Sequence, residues 1–120
     1  MGFASRIRPH VAAELRHAEA AEAAGDAARA FRHLERAHVL GQASTREHVR
    51  VHLRMLGWAL RQRRHAEIRG QLPRIAGAAT KTALGLVPTG NTGGANISPF
   101  KRLTIPSDLQ ARIAIARSPH

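Results

Sequence analysis

The chain has 120 residues and a formal net charge of +11, with 19 basic side chains against 8 acidic ones. This length predicts a single domain, and the absence of cysteine excludes disulfides, thiolate metal sites and cysteine nucleophiles. The N-terminal residues contain no apolar run, and the weakly polar stretch 75–87 is short and interrupted by Lys81. We therefore expect a cytoplasmic protein with neither a secretory signal nor a membrane partner.

The hydrophobic pattern predicts four helices in a helical core over residues 9–83, and no strand pattern competes with it. Asp26 is the expected N-cap of the second helix, and Gly70 and Pro73 predict a kink or a break in the fourth. The predicted bounds are Pro9 to Ala24, Asp26 to Gly41, Ser44 or Thr45 to the basic run 61–64, and Ala66 to Ala83.

Glycine and proline punctuate residues 84–106, which predicts an ordered loop, and Pro106 and Ser107 then start a short last helix over 107–116. Within that loop, residues 88–96 are rich in glycine. Successive backbone N–H groups there can bind an anion, but we favour a structural role in which the loop closes an open end of the bundle.

The first two helices resemble a tetratricopeptide hairpin. Gly25 and Asp26 lie at the turn, and Ala30, Leu34 and Ala37 follow with the small, large, small spacing of such a repeat. The resemblance implies an all-α fold of two antiparallel helical hairpins, followed by the glycine-rich loop and the last helix.

A second resemblance covers the chain from Pro9 to Leu109. It is carried by four separated strings, His33–Gln42, His48–Trp58, Gly70–Ile75 and Val87–Asn96. Together they resemble a small bacterial family described as domain of unknown function number thirty-seven hundred and three. The resemblance implies a complete small bacterial protein and brings no established activity, so the chemistry depends on the residues themselves.

Acid and histidine pairs at helical spacing predict a metal site. Glu35 and His38 are three residues apart, and His48 and His52 are four apart, so each pair lies on one side of its helix. Glu14 on the first helix completes the predicted ligand set, with Glu67 as a further candidate. Because histidine nitrogens dominate the set, the expected cofactor is a divalent zinc, iron, copper or nickel ion. Whether such a protein is a metalloenzyme or handles metal stays open.

A structural alternative uses the same residues without a metal. Glu35 has Arg32 and Arg36 beside it and can form an ordinary ion pair. His52 can be a half-buried imidazole that is hydrogen-bonded to a carboxylate such as Glu14 or Glu35.

The second functional alternative is a non-enzymatic tetratricopeptide-like module. Its arginine-rich face, formed by Arg54, Arg61, Arg63 and Arg64, would bind an acidic protein or nucleic acid. The two hypotheses differ in geometry, because a metal site needs acid and histidine side chains that converge between helices, whereas the module needs an open basic groove. The sequence does not fix the oligomeric state.

Overall fold

The computed structural model describes residues 2–83, 93–94 and 103–118. Within these residues the chain is all-helical and contains no strand, so the predicted fold class is confirmed. The helices are α1 (Phe3–Ala23), α2 (Ala27–Gly41), α3 (Thr45–Arg61), α4 (His65–Ala83) and α5 (Ser107–Arg117).

A tight turn folds α1 and α2 into the first hairpin. Gly25 has a φ of +83°, a left-handed conformation that glycine adopts without steric cost. Asp26 is the N-cap of α2, as predicted, and its carboxylate accepts a hydrogen bond from the Arg29 backbone N–H at 3.0 Å. Small core residues such as Ala18 and Ala30 let the two helices pack closely.

The second hairpin consists of α3 and α4. Ser44 is the N-cap of α3, one of the two predicted alternatives, and its hydroxyl accepts from the Glu47 N–H at 3.5 Å. The turn after α3 places Arg63 at a φ of 55°. The Arg64 N–H then donates to the Ala59 carbonyl at 2.9 Å, which satisfies an acceptor at the end of α3.

The two hairpins meet along α2 and α3. Trp58, near the end of α3, packs on Phe31 with ring centroids 4.5 Å apart and donates its indole N–H to the Ala27 carbonyl at 3.0 Å. The start of α2 therefore lies beside the end of α3, and the end of α2 lies beside the start of α3. This antiparallel arrangement brings the histidine-bearing parts of the two helices together.

Two predicted helix boundaries differ from the structure. The first helix begins at Phe3 and not at Pro9, because Ile7 is fully buried in the core and the Arg6 guanidinium donates to the Ala116 carbonyl of α5. The fourth helix continues through Gly70 and Pro73, so the break expected there is absent. The Arg74 guanidinium donates to the Gly70 carbonyl at 2.7 Å, on the turn that contains the proline.

The predicted last helix is confirmed as α5, with Leu109 fully buried in the core. Of the predicted loop 84–106, the structure describes Gly93 and Gly94 and residues 103–106. The rest of that loop, including most of the glycine-rich stretch 88–96, lies outside the described residues. Among the helices that are described, none is long and apolar enough to cross a lipid bilayer.

Candidate metal centre

Three histidines converge where the two hairpins meet. His38 lies near the end of α2, and His48 and His52 lie one turn apart near the start of α3. All three are buried, with exposed fractions of 3%, 6% and 2%. One potential ligand nitrogen from each residue lies within 4.8 Å of the other two. We call His38, His48 and His52 the histidine centre.

A close approach of α2 and α3 makes this convergence possible. A Cβ atom at Gly41, one turn after His38, would lie 3.0 Å from the Glu47 Cβ and 3.3 Å from a Val11 methyl group. Any larger residue would push the end of α2 away from α3, so Gly41 keeps the helices near enough for their histidines to meet.

The imidazole rings of the histidine centre pack against each other at similar separations. Ring centroids are 4.8 Å apart for His38 with His48, 4.8 Å for His38 with His52, and 4.9 Å for His48 with His52. The Nε2 atoms of His38 and His48 are 3.0 Å apart. Two nitrogens that bind one tetrahedral zinc ion lie about 3.4 Å apart, given zinc–nitrogen bonds of about 2.1 Å. Small side-chain shifts would therefore let these nitrogens share an ion.

Gln71 on α4 connects the histidine centre to other elements. Its side chain is fully buried, and its Oε1 lies 2.6 Å from the His52 Nδ1. Its Nε2 donates to the Glu67 carboxylate at 2.6 Å and to the Gly93 carbonyl at 2.9 Å. The second hairpin thus supplies a hydrogen-bonding partner behind one histidine, as is common for metal-binding imidazoles.

Gly93 covers one side of the histidine centre. Its φ is +82°, and a Cβ at this position would lie 2.5 Å from the His38 Cδ2 and 2.8 Å from the His38 Nε2. Both the backbone conformation and the contact with the ring require glycine. Gly93 thus lies in direct contact with a candidate ligand.

The predicted carboxylate ligands do not join the histidine centre. Within the described residues, no carboxylate oxygen belongs to the group that meets within 4.8 Å. Glu35 is half-buried and lines a surface cavity with Arg32, Arg36 and Leu109. Glu67 reaches the centre through Gln71.

Glu14 is buried and lies in a separate cluster of charged and polar side chains. Its carboxylate accepts from Arg36 at 3.0 Å and from Arg112 at 3.3 Å, and lies 2.7 Å from the His33 Nδ1. Burial opposes ionisation, but the hydrogen bonds from His33 and Arg36 outweigh it and hold the pKa of Glu14 below its ordinary value. These four residues, the Glu14 cluster, join α1, α2 and α5.

Two residues at the centre, Gln71 and Gly93, were not among the predicted site residues. Gln71 follows Glu67 by four residues, a spacing that puts both on one face of α4 and permits their hydrogen bond. That spacing is the sequence signal for Gln71. Gly93 is separated from His38 by more than fifty residues of chain, so no local pattern indicates their contact.

The four arginines of the predicted basic face have varied surroundings. Arg54 donates to Glu19 at 2.7 Å, and Arg61 forms a two-point ion pair with Glu22 at 2.6 and 3.0 Å. Arg64 lies over the Trp58 ring at 5.9 Å, and Arg63 forms the turn between α3 and α4. Two of the four charges are thus neutralised by glutamates of α1.

The fold and the site define an all-helical protein of two packed hairpins with three histidines buried between them. Over residues 5–113 its sequence matches the family described as "Protein of unknown function (DUF3703)", and the chain belongs to this family. The family resemblance expected from the four sequence strings is confirmed. No curated protein and no solved structure matches the chain.

Proposed function

We propose that this protein binds a transition-metal ion through His38, His48 and His52. The observation that carries the proposal is the convergence of three buried imidazoles, with ligand nitrogens within 4.8 Å of one another, from two different helices. The hydrogen bond between the Nε2 atoms of His38 and His48 already brings two of these nitrogens to nearly the separation that a shared ion requires.

The donor set favours zinc among the four expected metals. Imidazole is a good ligand for zinc, copper, nickel and iron, but helical di-iron sites take most of their ligands from carboxylates. The predicted ligands Glu14 and Glu35 lie elsewhere, at the Glu14 cluster and at a surface cavity. Three histidines with a fourth position for water or a substrate match the arrangement of open zinc sites.

The electrostatic surroundings support a cation in spite of the net charge of +11. Neutral imidazoles add no positive charge to the site. The Glu67 carboxylate is connected to His52 through one carboxamide, which places a negative charge behind the ligand set. This hydrogen-bonded relay resembles the carboxylate and amide partners that usually orient metal-bound histidines.

The experiment is elemental analysis of the natively purified, untagged protein together with uptake of added Zn²⁺. We expect about one metal ion per chain in the wild type and a loss of at least about 100-fold in zinc affinity for His48→Gln and His52→Gln, because two imidazoles bind zinc far more weakly than three.

Two matched variants control for effects outside the site. His33→Gln alters a half-buried histidine of α2 that bonds Glu14, and Glu35→Gln alters the predicted ligand that lies by the surface cavity. Both should retain the metal. A wild-type protein that contains no metal and takes up no Zn²⁺, Cu²⁺, Ni²⁺ or Fe²⁺ would refute the proposal. A loss of metal in Glu35→Gln would restore the predicted carboxylate to the ligand set.

A further inference from the structure

We infer that Gln71 is a positioning residue which fixes His52 in one tautomer, so that the His52 Nε2 is the metal-ligating nitrogen; this inference rests on the proposed function. It follows from the hydrogen bonds of a fully buried carboxamide between three elements of the fold.

The orientation of the Gln71 carboxamide follows from its neighbours. The Glu67 carboxylate and the Gly93 carbonyl both offer acceptors, at 2.6 and 2.9 Å from the same Gln71 atom. That atom must therefore be the amide nitrogen, whose two N–H groups match the two acceptors. The amide oxygen is left to face His52.

The orientation of Gln71 in turn decides the proton on His52. The Gln71 Oε1 can only accept, so the His52 Nδ1 at 2.6 Å must carry the hydrogen and donate. In a neutral imidazole the other nitrogen then has a lone pair, which makes Nε2 the metal-binding atom. Glu67, Gln71 and His52 thus form a directed chain of hydrogen bonds from a carboxylate to a candidate ligand.

The same carboxamide also holds Gly93 beside His38. Its second N–H bonds the Gly93 carbonyl, and Gly93 contacts the His38 ring from the side of the C-terminal segment. Gln71 therefore fixes groups that contact two of the three histidines, His52 and His38. Fewer side chains then have to move when an ion binds.

The first test measures the tautomer in the metal-free protein by long-range ¹H–¹⁵N correlation of ¹⁵N-labelled histidines. The His52 signals are identified by their loss in His52→Gln. We expect the Nδ1–H form in the wild type and a mixture of forms in Gln71→Leu. An Nε2–H form in the wild type would overturn the inference, whether or not any variant folds.

The second test compares zinc affinity, by chelator competition, between the wild type, Gln71→Leu and the exchanged double variant Glu67→Gln/Gln71→Glu. Loss of a hydrogen-bonding partner behind a ligand typically weakens metal binding by about 10- to 100-fold, which is the effect expected for Gln71→Leu. The exchange keeps the net charge, an acceptor for His52 and a donor and acceptor pair between residues 67 and 71, but it removes the donor to the Gly93 carbonyl. We expect it to recover part of the lost affinity, the part that depends on the acceptor for His52.

Separate outcomes distinguish the two proposals. Equal zinc affinity in the wild type and Gln71→Leu would overturn the role of Gln71 and leave the histidine centre as a metal site. A wild type that binds none of Zn²⁺, Cu²⁺, Ni²⁺ and Fe²⁺ would refute the metal site, while the tautomer measurement would still decide whether Gln71 directs His52. An exchanged variant as weak as Gln71→Leu would show that an acceptor for His52 does not by itself support zinc binding, which would overturn the tautomer as the cause of the affinity loss.

Discussion

The histidine centre and the Glu14 cluster both contain buried polar side chains, both include histidine, and both join different helices, yet their partners differ in kind. In the Glu14 cluster a carboxylate meets two guanidinium groups and an imidazole. In the histidine centre three imidazoles meet each other and a neutral carboxamide. The Glu14 cluster already pairs a negative charge with positive ones. The histidine centre instead brings together imidazole nitrogens whose lone pairs can bind an ion.

This difference separates a structural network from a candidate ligand set. Arginine keeps its proton and its positive charge, so Arg36 and Arg112 compete with a metal ion for the Glu14 carboxylate and repel a cation. Neutral imidazoles can exchange a hydrogen bond for a metal bond without leaving a charge unpaired. The structural interpretation of the acid and histidine residues fits the Glu14 cluster, and the proposed metal site lies at a different place, the histidine centre.

The largest expected effect is the loss of stability in Glu14→Ala. Glu14 is buried, and its removal would take the shared acceptor from Arg36 and Arg112, which are partly exposed. We therefore expect a loss of about 3 kcal/mol of unfolding free energy, the low end of the range for buried ion pairs. Urea unfolding measures the change. Zinc affinity should stay within about twofold, because distant and independent sites act additively. A large loss of zinc binding in this variant would show that the two clusters act as one site.

A slightly smaller effect is expected from zinc on the wild-type protein. At a free zinc concentration of about 100 times the Kd, binding to the folded state raises the free energy of unfolding by about 2.7 kcal/mol. This corresponds to an increase of roughly 10 °C in Tm. Calorimetry should detect this increment in Glu14→Gln and not in His48→Gln. An increment that persists in His48→Gln would place the zinc elsewhere.

The third effect compares two glycines with nearly equal φ. In Gly25→Ala the added Cβ atom has no other atom within 4 Å, so the free energy of unfolding should fall only by the cost of a left-handed backbone, about 1–2 kcal/mol. Gly93→Ala has the same backbone cost, and its Cβ atom also collides with the His38 ring. We expect it to lose about 1 kcal/mol more than Gly25→Ala and to weaken zinc binding, which Gly25→Ala should not do. Equal losses in both variants would argue against a close contact with His38.

The smallest effect is the pH dependence of the Glu14 cluster. Because the folded-state pKa of Glu14 lies below its ordinary value of 4.5, its contribution to stability is fully present above that value and is lost as the pH falls through the folded-state pKa. The stability difference between the wild type and Glu14→Gln should therefore shrink as the pH is lowered from about 6 to about 3. A difference that stays constant would mean that folding does not lower the pKa of the Glu14 carboxyl.

Local features of the fold were predictable from the sequence, and features set by packing were not. Asp26 and Ser44 act as N-caps because their side chains bond backbone N–H groups three residues ahead, a purely local interaction. The early start of α1 depends on Ile7 being buried and on Arg6 reaching α5. Those contacts outweigh the preference of Pro9 for a first turn.

The same distinction holds for the candidate site. The spacing of His48 and His52 indicates that they share a helix face, and the structure brings His38 to them. The spacing of Glu35 and His38 indicates a shared face in the same way, but Glu35 lines a surface cavity and lies outside the histidine centre. A spacing of three residues leaves an angle of roughly 60° between side chains, which is enough to send them to different neighbours.

The three histidines come from two different hairpins, and this affects how the hairpins can open. His38 belongs to the hairpin of α1 and α2, and His48 and His52 belong to the hairpin of α3 and α4. Without an ion each hairpin can open as its own cooperative unit, since most of its close contacts are internal. An ion held by all three nitrogens would make the opening of either hairpin break a metal bond. Hydrogen exchange in α1 and in α4 would then follow one shared opening free energy, and the metal would act as a cross-link that merges two foldons into one.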